Sequence, residues 1–111
     1  MNCSRDEVVL LPVPFTDLSS RKVRPAVVIG KSGADLFLVP ISSRLHNTDF
    51  ALREWQAAGL NVLCGVKAQI ATVEEALVIK TVGVLSAVDR DLLNERLRTW
   101  LQLDGPPEKG A

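Results

Sequence analysis

The sequence predicts a mainly β domain closed by a single C-terminal α-helix. Three observations carry that expectation. Short apolar runs rich in Val, Ile and Leu recur up to residue 85, separated by breaks that contain Gly, Pro and Ser. From Ser86 onward the apolar spacing changes to a helical repeat. The 111-residue chain is 47% apolar, and a chain of this length buries roughly two-thirds of its surface on folding, enough for one modest core. One domain over residues 1–111 is therefore expected, with a flexible tail from about 104 to 111.

The elements follow in order. Glu7-Val8-Val9-Leu10-Leu11 is short, branched and apolar, and reads as the first strand. Pro12 and Pro14 lack the N–H that a central ladder needs, so this strand leaves the sheet there or runs along an edge. Thr16-Asp17-Leu18-Ser19-Ser20-Arg21-Lys22 is polar and turn-forming, a loop. Arg24-Pro25 opens a second strand, Ala26 to Ile29, closed by Gly30. A tight connection over Lys31 to Asp35 leads into a third strand, Leu36 to Ile41, and the two form a hairpin. Ser42 to Asp49 reads as a loop, Phe50 to Trp55 as a short strand, and Gln56 to Leu60 as a turn. Val62 to Ile70 reads as a strand interrupted by Gly65, and Leu77 to Leu85 as the last strand, with Gly83 marking a bulge or sharp bend.

Ser86, with Asp89 three residues later, has the pattern of a weak capping box. Val88, Leu92, Leu93, Leu97, Trp100 and Leu101 then form one apolar stripe, and Gly105-Pro106-Pro107 stops the helix. Several short strands followed by one helix are accommodated by a small curled sheet or barrel with the helix as its cap.

Composition narrows the function. Thirteen Lys and Arg against thirteen Asp and Glu give a net charge of zero. That argues against a long basic surface wrapped on duplex nucleic acid, but allows a compact site for a few phosphates. Aromatic residues make up 5% with no Tyr, too few for a stacking platform of the single-strand-binding type. Cys3 and Cys64 stand in no metal-ligand spacing and read as free thiols in a reducing compartment, although one disulfide is open to them. Arg5, Asp6 and Glu7 precede any apolar run, so the N-terminus does not read as a signal peptide. No apolar run approaches a membrane span, and a cytoplasmic location is expected. There is no phosphate-cradling Gly loop, no HExxH and no cysteine pair, so no metal or cofactor is expected. The single His46 excludes a two-histidine ribonuclease within one chain and otherwise reads as a solvated loop residue.

The placement of polar residues relative to the strands is more informative. Arg24 precedes the second strand, and Ser42 and Ser43 follow the third. A hairpin joined near Gly33 makes Arg24 and Ser42 neighbours at one rim, which the Asp17–Lys22 loop also enters. A guanidinium beside a hydroxyl suits a phosphate, because Arg offers a planar fork of donors. On pattern alone, a surface charge and an ordinary loop hydroxyl account for the same two residues.

Asp6-Glu7-Val8-Val9-Leu10-Leu11-Pro12-Val13-Pro14-Phe15-Thr16-Asp17-Leu18-Ser19 resembles the N-terminal signature of the PemK/MazF-like toxins of bacterial toxin–antitoxin systems. Arg24-Pro25-Ala26-Val27-Val28-Ile29 is similar to that family's Arg-Pro-Ala-Val-Val block. Val39-Pro40-Ile41-Ser42-Ser43 is similar to its block ending in a catalytic Thr or Ser. Lys67-Ala68-Gln69-Ile70 and Val82-Gly83-Val84-Leu85-Ser86 match later blocks.

The resemblance implies a small SH3-like barrel of the CcdB/PemK type, a homodimer, and a cognate antitoxin as partner. It also implies a metal-independent endoribonuclease that cuts single-stranded RNA at short sequences. It places the catalytic pair at Arg24 and Ser42, and substrate contacts at Asp17, Ser19, Arg21, Lys22, Ser43, Arg44 and Gln69. Two positions depart from the family pattern: Ser42 stands where Thr is common, and Ala71 where several members carry Arg. The fold also serves toxins that block a topoisomerase, so a non-catalytic binding protein is the alternative reading, and a plain interaction module a third.

Overall fold

The computed structural model describes residues 2–12 and 22–103. Its strands are β1 (Glu7–Leu11), β2 (Arg24–Ser32), β3 (Asp35–Ser42), β4 (Phe50–Ala51), β5 (Gly65–Val66), β6 (Ala71–Glu74) and β7 (Lys80–Val84), followed by the helix α1 (Ala87–Leu101). Every pairing is antiparallel. The strand order is β4-β5-β3-β2-β1-β7, and β6 also pairs with β3. β3 is thus the strand on which the sheet divides. One of its edges takes β2, while the other takes β6 along Asp35–Leu38 and β5 at Ile41–Ser42.

The runs of apolar residues have a direct cause: both faces of the central sheet are covered. In β1, β2 and β3 the registers align Val8 with Val27 and Val27 with Val39. This row packs with Ile41, Phe50, Leu52, Val66, Leu85, Leu93 and Leu97 beneath the helix. The alternate positions Val9, Leu11, Ala26, Val28, Leu36 and Leu38 form a second core on the opposite face with Cys3, Val73 and Val78. Burial on both faces replaces the apolar–polar alternation of a one-sided sheet with nearly continuous apolar sequence.

The hairpin of β2 and β3 closes through Gly33-Ala34, with Ser32 opposite Asp35. Gly33 has φ of +60° and no other residue of the turn has positive φ, the pattern of a type II′ turn that suits right-twisted strands. The expected irregularity near Gly83 is present. Val8 pairs with Gly83 but Val9 with Thr81, which leaves Val82 as an extra residue in β7.

Several element boundaries differ from the sequence expectation. The strand expected over Phe50–Trp55 ends at Ala51: the Leu52 N–H still reaches the Cys64 carbonyl, but those of Arg53 and Glu54 are drawn away to the Asp89 carboxylate. The Val62–Ile70 strand contracts to Gly65–Val66, and a strand not foreseen, β6, follows at Ala71–Glu74. A 3₁₀ turn at Glu75–Leu77 separates it from β7, which starts at Lys80 and not at Leu77. Ser42 is the last residue of β3, where the sequence placed it just beyond.

α1 starts as expected, with the Ser86 hydroxyl accepting from the Asp89 N–H at 3.3 Å. It ends earlier, at Leu101, with Gln102 in the left-handed region at φ 55°. On its stripe Leu93 and Leu97 are buried, and Leu92 and Trp100 pack partly against the core. Val88 and Leu101 are exposed. At 3.6 residues per turn Val88 points about 140° away from Leu93, so the apolar stripe is wider than the face that meets the sheet.

Candidate active site

The site is built at the end of the β2–β3 hairpin opposite its turn. Arg24 is the first residue of β2 and pairs with Leu11 at the end of β1; Ser42 ends β3 and pairs with Gly65 of β5. Extending the Ala26–Pro40 pairing by two residues sets Arg24 across from Ser42. This is where β3 leaves β2 for β5, and the divergence opens a cleft of about 820 Å³ lined by both residues.

Lys22, Arg24, Ser42, Ser43 and Arg44 all line this cleft, as the sequence suggested. Gln69 does not; it lies in an adjoining groove of about 330 Å³ that shares Asn47 and Lys67 with the main cleft. Asp17, Ser19 and Arg21 lie outside the described residues. Ala71 sits in β6 opposite Leu38 and lines neither cavity.

Sequence reasoning missed Lys67, Lys80, Asn47, Asn61 and Cys64, all on the main cleft. Lys80 gave a usable signal, since it opens β7 and stands opposite Leu10, near the end of β1 where Arg24 also is. Lys67 is fixed by its own backbone: its N–H donates to the Pro40 carbonyl at 3.0 Å, two residues before Ser42. Nothing local marks Asn47 or Asn61, whose positions depend on the loops between β3 and β5.

The electrostatics of the cleft are one-sided. Lys22, Arg24, Arg44, Lys67 and Lys80 line it, and among the described residues no Asp or Glu does. None of the five forms an ion pair with another described residue. A chain with zero net charge has thus concentrated positive charge in one concave place, which favours an anion. The Ser42 hydroxyl is also oriented. Its Oγ accepts the backbone N–H of Arg44 at 3.0 Å, which leaves its own hydrogen to donate elsewhere.

Cys64 is not suited to nucleophilic work here. Burial pushes its thiol above the usual range, and the thiol form is a poor nucleophile at neutral pH. Both cysteines are free and buried. Among the described residues no group of three His, Cys, Asp or Glu side chains converges as a metal site. The cleft can therefore bind phosphates through cations and hydroxyls, and it can stabilise charge that develops on a phosphorus centre.

The profile of a family described as PemK-like, MazF-like toxin of type II toxin–antitoxin systems matches residues 4–101. No curated protein sequence matches the chain. Among solved structures, an endoribonuclease in complex with its cognate antitoxin, from a mycobacterial species, shares the fold with a TM-score of 0.68 at 16% identity. The match covers 92% of this chain and 96% of that one.

Proposed function

Since the chain belongs to the PemK-like, MazF-like toxins of type II toxin–antitoxin systems, we propose that its cleft cuts single-stranded RNA at short specific sequences, without a metal. The observation that carries this reading is the lining around Arg24 and Ser42, where five cations and, among the described residues, no carboxylate are found. The endoribonuclease activity of the mycobacterial structural relative agrees with it.

RNA supplies its own nucleophile. The 2′-oxygen bonds to the adjacent phosphorus and loses its proton, while the bond from phosphorus to the 5′-oxygen breaks and that oxygen gains a proton. The products are a 2′,3′-cyclic phosphate and a 5′-hydroxyl. Negative charge grows on the non-bridging oxygens as the phosphorus becomes five-coordinate. Arg24 faces that charge with a fixed fork of donors. The guanidinium offers donors and no acceptor, so its part is electrostatic. Ser42, whose Oγ already accepts from the Arg44 N–H, donates its hydrogen in a hydrogen bond to a phosphate oxygen and keeps its proton. Water takes up the proton lost by the 2′-oxygen and supplies the one gained by the leaving 5′-oxygen. Lys67 and Lys80 hold the neighbouring phosphates as point charges.

The working form is a cytoplasmic homodimer held in check by a cognate antitoxin. Leu77, Ile79, Val84 and Val88 are about half exposed in the single chain, apolar surface that a subunit or an antitoxin segment would cover. No helix among the described residues is long and apolar enough to cross a membrane.

The test is incubation of purified protein with single-stranded RNA in EDTA, with analysis of the product ends. Cleavage leaving cyclic phosphate termini is expected, and DNA of the same sequence should survive because it lacks the 2′-OH. No cleavage, or cleavage that returns only with added divalent metal, overturns the proposal.

A further inference from the structure

The cleft has a second wall of different character. Gly59, Leu60, Asn61 and Val62 line it from the loop between β4 and β5 and contribute no charge. Val62 is 54% exposed, and Asn61 is exposed beside it. Apolar side chains and one amide thus face a rim of cations and hydroxyls across the same space.

This wall is held firmly for a surface loop. The Leu52 N–H donates to the Cys64 carbonyl at 2.9 Å, which closes the base of the loop. Asp89 at the start of α1 is fully buried, and its two carboxylate oxygens accept the N–H groups of Arg53 and Glu54, each at 2.8 Å. The Leu60 N–H returns to the Trp55 carbonyl at 3.2 Å. Gly59, at φ +84°, lies so close to β7 that a Cβ would collide with the Val82 carbonyl, and a Cβ on Gly83 would collide with Ala58. These two glycines let the loop backbone seat directly on the strand.

We infer that this wall receives an unstacked nucleobase next to the scissile phosphate, and that Asn61 reads its edge. The inference rests on the RNA-cleaving reading above. A nucleotide is amphipathic in the same sense as the cleft, with an anionic phosphate and a flat, largely apolar base whose edge carries donors and acceptors. With its phosphate on Arg24 and Ser42, the base is directed toward the uncharged wall. Leu60 and Val62 give it an apolar surface in a cleft that no described aromatic residue lines. The Asn61 amide presents both an acceptor and donors, enough to distinguish bases by edge pattern. A base paired in a duplex is stacked and cannot enter, which restricts the site to single strands.

The experiment compares cut-site profiles of wild type, Asn61→Ala and Val62→Ala on a random-sequence single-stranded RNA pool in EDTA, with fragments sequenced. Both residues are exposed, so folding is not expected to suffer, and circular dichroism checks it. Asn61→Ala is expected to relax the base preference at one position flanking the cut at least fivefold, while total cleavage of the pool falls less than that. Val62→Ala should raise KM for a preferred oligonucleotide and keep the preference. If wild type cleaves and the Asn61→Ala profile is unchanged at every position, the base-reading role is overturned and the cleavage activity stands. If wild type cleaves nothing, the RNA-cleaving reading falls and takes this inference with it.

Discussion

At the turn end of the β2–β3 hairpin, Lys31 donates to the Glu75 carboxylate at 3.0 Å and to Asn2 at 3.1 Å, and the same carboxylate oxygen accepts the Cys3 N–H at 2.7 Å. At the other end, Arg24 and Ser42 face a cleft where none of five cations meets a carboxylate among the described residues. The two ends share strands and core and differ in what balances their charge. Glu75 binds the N-terminal segment to the hairpin, and its negative charge is met inside the protein. At the open end no described carboxylate balances the positive charge, and like charges gathered in one cleft repel one another until an anion enters. A charge that contributes to folding and a charge reserved for a ligand are thus distinguishable by their partners.

The sharpest break of this comparison is removal of the guanidinium. Arg24→Ala should lower RNA cleavage by about 10²–10³, or roughly 3–4 kcal/mol of transition-state stabilisation, as for loss of an oxyanion donor. Thermal stability should hardly change, since Arg24 is exposed and forms no described ion pair. Arg24→Lys should recover only part of the rate, because an ammonium cannot reproduce the bidentate fork. Initial rates on a single-stranded oligonucleotide, read beside a melting curve, separate the two effects. Equal rates for wild type and Arg24→Ala would end the assignment.

A smaller effect is expected at the hydroxyl. Ser42→Ala removes one donor to a charged oxygen, a contribution of about 1.5–3 kcal/mol, so cleavage should fall by about 10–100-fold. Ser42→Thr keeps the hydroxyl and should be tolerated. Ser43→Ala is the internal control on the same rim: Ser43 lines the cleft, but no N–H of a described residue orients its hydroxyl as that of Arg44 orients Ser42. Equal losses at Ser42 and Ser43 would mean that the orientation by Arg44 is irrelevant to catalysis.

How far the sequence foretold this site follows from which residues depend on which contacts. Arg24 and Ser42 are neighbours through a hairpin whose turn, register and strand ends are local, so both were legible from Gly33 and the two apolar runs around it. The N-cap at Ser86 was legible for the same reason. The uncharged wall was not. Its course depends on Asp89 reaching Arg53 and Glu54 more than thirty residues away, and in sequence Asp89 looks like an ordinary first-turn acid. The pairing of β6 with β3 is equally non-local: Ala71–Glu74 is a short stretch whose strand character comes from the free edge of Asp35–Leu38. Lys67 gains meaning only when the curled sheet brings it to the rim, and the signal at Lys80 becomes readable only once its pairing with Leu10 is known.

The smallest expected effect sharpens the comparison from the turn end. The Cys3 N–H and then Lys31 hold the Glu75 carboxyl below its ordinary range. A carboxylate stabilised in the folded state adds stability that is complete above the pKa of the unfolded chain, about 4.3 for glutamate. That contribution fades as pH falls below this value and is gone once pH has passed the lowered folded pKa. Melting curves between pH 3 and 7 should therefore show wild type losing more stability on acidification than Glu75→Gln. The amide keeps an acceptor for the Cys3 N–H but has no charge to lose, so the two curves should converge at the acid end. At pH 7 the variant should melt slightly lower, and its RNA cleavage should match wild type, since the latch is at the far end of the hairpin from the cleft. A Glu75→Gln enzyme with normal stability and impaired cleavage would reverse the assignment of the two ends, whereas parallel melting curves would remove Glu75 from the acid response.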